Sequence, residues 1–234
     1  MYQDFISGFS SSYVNTILFY PAFTVIHKQF YNNKKIIPLI KDIYKSNGIK
    51  GFYSGLSIFS LYLPLTRGGE MYFHKQFENY SDNKIYNISI GSIYSNIWKF
   101  VIYPINTFQV NKQVLNNYKN VKLKKFWNGY TYNLYGGFIS NFSWFYTYNY
   151  VNNGFNNDNL LKSTISGTAA SLISDSLSHP FKVFKLLRQT NQNYKFDFRT
   201  AYRGYSFRLL INALQGGTYG FLWNRFDNVF DPKK

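Results

Sequence analysis

Three prolines stand inside uncharged, helix-like segments, each preceded by a glycine at one fixed distance: Gly8 and Pro21, Gly91 and Pro104, Gly167 and Pro180 are all 13 residues apart. Proline removes a backbone donor and costs a helix interior about 3 kcal/mol. A kink placed three times at one spacing therefore implies a fold that requires it. At 1.5 Å per residue, each glycine lies roughly 20 Å from its proline, near the other end of the same helix. Gly8 with Ser12, Gly91 with Ser95 and Gly167 with Ser171 make small-xxx-small pairs that allow helices to approach closely; the competing reading of any one of them is a glycine in a polar loop. After each proline comes a basic stretch, then an aromatic entry ending in glycine: Phe52-Tyr53-Ser54-Gly55, Phe126-Trp127-Asn128-Gly129 and Ala201-Tyr202-Arg203-Gly204. The chain reads as three copies of helix, basic connection, helix, spanning 1–80, 81–157 and 158–234.

Six uncharged windows mark candidate helices: 5–26, 52–66, 85–98, 126–157, 163–174 and 209–224. The three intervals after the prolines (28–50, 112–125 and 182–203) hold 17 of the 26 lysines and arginines but only two acids, Asp42 and Asp197. The termini and the remaining connections carry Lys75, Lys84, Lys162, Arg225, Lys233 and Lys234 against Asp4, Glu78, Asp82, Asp158, Asp227 and Asp231. This asymmetry is what the positive-inside rule produces in a membrane protein with an even number of spans and both termini on one side. Mean hydropathy is −0.28 and no run of 18 strictly apolar residues exists, which argues against lipid-embedded helices on a simple count. Helices that line an aqueous cavity escape that count, because only one face must be apolar.

The net charge of +16 selects anionic partners. With no cysteine there is no disulfide framework, zinc-thiolate site or thiol nucleophile. The first twenty residues contain one Asp and no Lys or Arg, unlike a signal or transit peptide. The residues form no catalytic constellation, phosphate-binding glycine loop or metal-ligand cluster, and His27, His74 and His179 fall at related helix ends, expected at a membrane boundary and not in a metal site. No enzyme activity, cofactor or metal is expected.

Three tandem helix pairs with a kinking proline in each first helix resemble the mitochondrial carrier family. Its signature is Pro-x-[Asp/Glu]-x-x-[Lys/Arg]-x-[Lys/Arg], often with Gln nine residues after the proline. Gln113 and Gln189 occupy that place, and Phe30 occupies it in the first copy. The run Ile40 to Gly55 looks like the family's surface helix and its exit. The proline-to-glycine interval shrinks from 34 to 25 and 24 residues in the later copies, too short for such a helix. The resemblance implies an all-α membrane protein of six transmembrane helices with threefold pseudosymmetry. It also implies residence in the mitochondrial inner membrane, with basic loops in the matrix, both termini in the intermembrane space, a monomeric state, and lipid partners such as cardiolipin.

The family's charged gates are replaced here. The positions of its first salt-bridge ring hold Phe23 and Ile26, Asn106 and Gln109, and Lys182 and Lys185, among which no ion pair can form. The second ring reads Phe73-His74-x-x-Phe77, Tyr148-Asn149-x-x-Asn152 and Trp223-Asn224-x-x-Asp227. Neutral hydrogen bonds and apolar contact are left to close both ends.

Arg67, Glu70, Lys99, Asp175 and Arg208 are the charges within the spans, and such groups usually face an aqueous pathway. Arg67 and Glu70 are also spaced to pair on one helix face. Lys99, Asp175 and Thr16 each precede a proline by five residues, which places them in one layer. Arg208 matches a base common in the family, or else holds a lipid phosphate or a helix end. Lys182 and Lys185, unpaired in their ring, leave a positive cavity floor. Gly136-Gly137 match a place where nucleotide-transporting members admit a base, with close helix packing as the alternative; Asn133, Tyr135, Asn141 and Trp144 stand nearby. The expected substrate is an anionic small molecule, a nucleotide foremost, exchanged by alternating access. A carrier-like protein without transport and a soluble basic nucleic-acid-binding protein are the rival readings; the first includes no nucleic acid among its partners. They part at alkaline carbonate extraction: the chain is expected to stay in the membrane pellet, and release with the soluble fraction would remove the carrier reading.

Overall fold

The computed structural model describes residues 2–115, 125–154 and 160–230, whose regular structure is helical. Helix α1 (Tyr2–Asn32) is followed by a short amphipathic α2 (Ile36–Asn47) and a 3-10 turn (Gly48–Tyr53). Then come α3 (Leu56–Phe77), α4 (Lys84–Leu115), α5 (Tyr130–Asn153), α6 (Leu160–Gln189), the four-residue α7 (Phe198–Ala201) and α8 (Tyr205–Phe230). Pro21, Pro104 and Pro180 lie within α1, α4 and α6, which continue past them. The helices outrun the uncharged windows because their flanking charges are accommodated on the helices themselves. Lys182 and Lys185, expected in a basic connection, sit on α6. Lys119, Lys122, Lys124, Asp158, Asp231, Lys233, Lys234 and the boundary expected between 157 and 158 lie outside the described residues.

Each long helix packs on the next, and α8 returns to α1, closing a ring. The helix ends at Asn32, Leu115 and Gln189 lie at one end of it, here the basic end, and those at Tyr2, Lys84 and Leu160 at the other, here the termini end. At the basic end α2 buries Leu39 and Ile43 against Val25 of α1. The third connection carries only α7, whose first turn is capped by Asp197 accepting from the Thr200 amide at 2.7 Å. That hydrogen bond, with the Thr200 side chain and the nearby Lys195 and Arg199, holds the exposed Asp197 carboxyl below its ordinary pKa.

One tie recurs at this end. The residue before each proline reaches the carbonyl before each entry glycine: Tyr20 hydroxyl to Ser54 O at 2.5 Å, Tyr103 hydroxyl to Asn128 O at 2.9 Å, and His179 Nε2 to Arg203 O at 3.2 Å. The glycines themselves have φ of +84° at Gly55, +81° at Gly129 and +71° at Gly204. In this left-handed region a side chain is penalised. A Cβ on Gly129 would also stand 2.9 Å from Lys185 O, so the turn is pressed directly onto α6.

At the other end Gly8 faces Met71 and the Arg67 carbonyl of α3, and Gly167 faces Gly216 and Gly220 of α8. Gly91 turns the other way, onto His74 of the preceding α3. All three are places where helices come too close for a side chain, so the polar-loop alternative does not describe them.

Burial is inverted relative to a water-soluble core. Ser7, Ser11, Asn15, Thr16, Asn96, Lys99 and Asp175 are buried, whereas Ile17, Leu18, Ile93, Ile97, Val101, Ile165, Leu177, Leu210 and Leu214 are exposed. On α4 the exposed set Ile93, Tyr94, Ile97, Phe100 and Val101 follows a helical period, so one outward stripe is apolar. No helix among the described residues is long and apolar enough to cross a membrane; the polar inner face accounts for the low average along each one.

Replacing Gly129 with alanine combines a strained φ with a clash against α6. Gly129→Ala is expected to lower stability by about 1–2 kcal/mol or more, read as a lower thermal midpoint of the purified protein.

Candidate functional site: the central cavity

The ring encloses a cavity of about 220 Å³ lined by Arg67, Glu70, Lys99, Gly136, Gly137, Asn141, Asp175, Lys182, Lys185 and Arg208, ten residues singled out by sequence position. Five bases and two acids therefore face one space. The pairing among them differs from the expectation of an uncompensated floor. Glu70 joins α3 to α4, accepting from Arg67 Nη1 at 2.7 Å on Oε2 and from Lys99 Nζ at 2.6 Å on Oε1. Asp175 joins α6 to α8, binding Lys182 Nζ at 2.6 Å and Arg208 Nε at 2.9 Å.

Both acids are nearly sealed from solvent, with side chains 3% and 2% exposed. Buried carboxylates persist only when paired and hydrogen-bonded, and here each has two cationic partners. Lys182 is thus not unpaired: its acid comes from its own helix, seven residues earlier, and not from the ring. Arg208 holds a carboxylate rather than a helix end, with its guanidinium carbon 5.6 Å from the Phe30 ring centre. Arg67 and Glu70 do pair, but Lys99 shares the acid. Lys99 also donates to Asn141 Oδ1 at 3.1 Å. Lys185 makes no ion pair among the described residues; its partner is Asn133 Oδ1 at 3.4 Å.

Other side chains depart from their expected places. Thr16 does not join Lys99 and Asp175 in a cavity layer, because its hydroxyl returns to Ser12 O at 2.6 Å on its own helix. The gap at Gly136 is taken by Phe181 and that at Gly137 by Asn96, with Lys99 Nζ beside it. Close packing, the alternative reading, describes this pair in the present conformation. Tyr135 points outward, 59% exposed. The histidines pack among the helices: His179 is fully buried, His74 stacks on Phe145 with ring centres 3.4 Å apart, and His27 lies 2.6 Å from Gln113 Oε1.

The basic end of the cavity is closed by amides and apolar packing. Gln113 Nε2 of α4 donates to Thr24 Oγ1 of α1 at 2.8 Å. Gln189 of α6 repeats the arrangement one step round the ring, donating to Asn106 Oδ1 at 3.0 Å and Thr107 Oγ1 at 3.2 Å of α4. Thr24 and Thr107 pass the bond on to Phe52 O and Phe126 O, both at 2.7 Å. At the third seam Phe30, Val183 and Ala201 replace this polar chain and belong to one buried apolar cluster. The sequence signal for this brace is a threonine three residues after a proline, present twice, but its meaning depends on partners from other helices.

At the termini end the aromatics of the second ring pack against rings of other helices. Phe73 and Phe77 turn onto Tyr94 of α4 at 6.0 and 4.9 Å, while Tyr148 packs on Trp223 at 5.2 Å. An ion pair absent from the expectation, Lys75 with Asp227 at 3.7 Å, joins α3 to α8 there.

Truncating Gln189 to alanine leaves Asn106 Oδ1 without this buried donor. Gln189→Ala is expected to cost about 1–3 kcal/mol, measured by thermal unfolding against the parent protein.

Residues 1–84 match the family model described as mitochondrial carrier protein. No curated protein matches the chain. Over residues 1–84, less than half of its length, the chain is similar to mitochondrial carrier proteins.

Proposed function

We propose that the chain is an anion exchanger of the mitochondrial inner membrane, built as three tandem helix pairs around a threefold pseudosymmetric axis and alternating access to the central cavity. The observation that carries this reading is the cavity's charge: five bases against two acids converge from four helices on one central space. Clefts lined by one sign of charge concentrate counter-ions. The exposed apolar stripes on α1, α4, α6 and α8 supply a surface suited to lipid, and the basic end suits the matrix side and acidic lipid such as cardiolipin. The chain acts as a monomer in this reading, because one ring of helices contains the whole pathway.

Nucleotides are the proposed substrate class. Arg67, Lys99, Lys182, Lys185 and Arg208 offer phosphate-binding groups, while Trp144, Asn133 and Asn141 line the same cavity and offer stacking and amide hydrogen bonds to a base. The present cavity is smaller than the roughly 300–1,000 Å³ usual for ligand pockets, and Phe181 and Asn96 fill the glycine face. Substrate entry in this reading requires α5 to move away from α4 and α6. An excess of fixed positive charge retains a bound anion until another replaces it, which favours exchange over release.

The test is counter-exchange in liposomes preloaded with nucleotide. Uptake of labelled nucleotide is expected only with internal nucleotide, and Arg67→Ala with Lys99→Ala is expected to reduce it at least tenfold, the scale of two lost charge-assisted contacts of about 1.5–3 kcal/mol each. Undiminished uptake in both variants would remove the cavity assignment, and a folded protein inert toward every nucleotide would favour a carrier-like protein without transport.

A further inference from the structure

The two cavity carboxylates already occupy the positions that a substrate anion would seek. Asp175 Oδ1 receives both Lys182 Nζ at 2.6 Å and Arg208 Nε at 2.9 Å, and its Oδ2 receives Arg208 Nε at 3.1 Å. Glu70 uses one oxygen for Arg67 and the other for Lys99. Four of the five bases are therefore held by side-chain anions of the protein itself, and each clamp spans two helices.

Resting on the anion-exchange reading, we propose that Glu70 and Asp175 are specificity-determining residues: tethered counter-anions that hold the empty cavity together and must be displaced by the substrate, so that the site selects a multiply charged anion of the polyphosphate type. Charge balance decides between anions. A monoanion that takes Lys182 and Arg208 from Asp175 exchanges one negative charge for another and leaves a buried carboxylate without its partners, an arrangement that is strongly disfavoured. An anion with several charges neutralises the bases and the surplus together. Five bases and two acids leave the lining with a positive surplus that a monoanion leaves largely unmet and a polyphosphate chain covers. Lys185, held only by Asn133, gives such an anion its first contact without displacing either carboxylate. The central cavity thus discriminates by total charge before any base is recognised.

Purified full-length protein in detergent at low ionic strength, titrated calorimetrically with inorganic tripolyphosphate, orthophosphate and chloride, tests this. The parent protein is expected to bind tripolyphosphate and to ignore chloride at the same concentration. Asp175→Asn is expected to bind tripolyphosphate on the order of tenfold more tightly and to gain measurable orthophosphate binding. Glu70→Gln repeats the test on the separate clamp should the first variant not fold. Unchanged or weaker tripolyphosphate binding in a folded acid variant would show that the carboxylates position the bases and would overturn the proposal alone. A parent protein that binds none of the three anions would overturn the anion-exchange reading, and this proposal with it.

Discussion

The architecture depends on a tie between a kink and a turn. Where proline interrupts the ladder of an inward helix, the preceding side chain donates to the carbonyl that leads into the next helix, and the glycine after that carbonyl adopts a left-handed φ. Each tie fixes the angle at which one helix hands the chain to its successor, and each glycine rests against the following inward helix. Because the third glycine rests against Gln29 and Phe30 of α1, the sequence of contacts closes on itself. Helix propensity alone cannot produce closure; the buried hydrogen bonds and close approaches at the three corners select it.

Electrostatics inside the ring follow from that closure. Glu70 meets Lys99 only because α3 and α4 are neighbours, and Asp175 meets Arg208 only because α6 lies beside α8. Isolated in an apolar interior any of these charges would be costly. Grouped as two acid-centred clusters they are tolerated, and they join helices that would otherwise meet mainly through glycine and aromatic packing. The same clusters leave a net positive cavity, so the arrangement that holds helices together also defines what the space attracts.

Much of this was legible in the sequence because the spacing of glycine and proline does not depend on tertiary detail. The helix order and the packing glycines follow from positions relative to Pro21, Pro104 and Pro180, while the charged residues lining the cavity stand out as ionisable groups in otherwise uncharged helices. What was not legible is pairwise. That Lys182 finds Asp175 on its own helix, that Lys75 finds Asp227 across the termini end, and that Phe181 and Asn96 fill the face of Gly136 and Gly137 are matters of side-chain direction. Mean hydropathy is blind to side-chain direction as well. Averaging along a helix mixes the buried serines and asparagines with the exposed Ile, Leu and Val of the opposite face, and only the structure separates the two.

The seam between α1 and α6 differs in kind from the other two. Where Gln113 and Gln189 hold their neighbours by directional amide bonds, Phe30, Val183 and Ala201 belong to one apolar cluster, and the directional bond at this corner comes instead from Arg203 Nη1 to Phe30 O at 2.7 Å. Apolar burial has a large heat-capacity signature and weakens on cooling. The α1–α6 seam therefore leans more on apolar burial at these positions than the other two, and that share of its hold weakens on cooling.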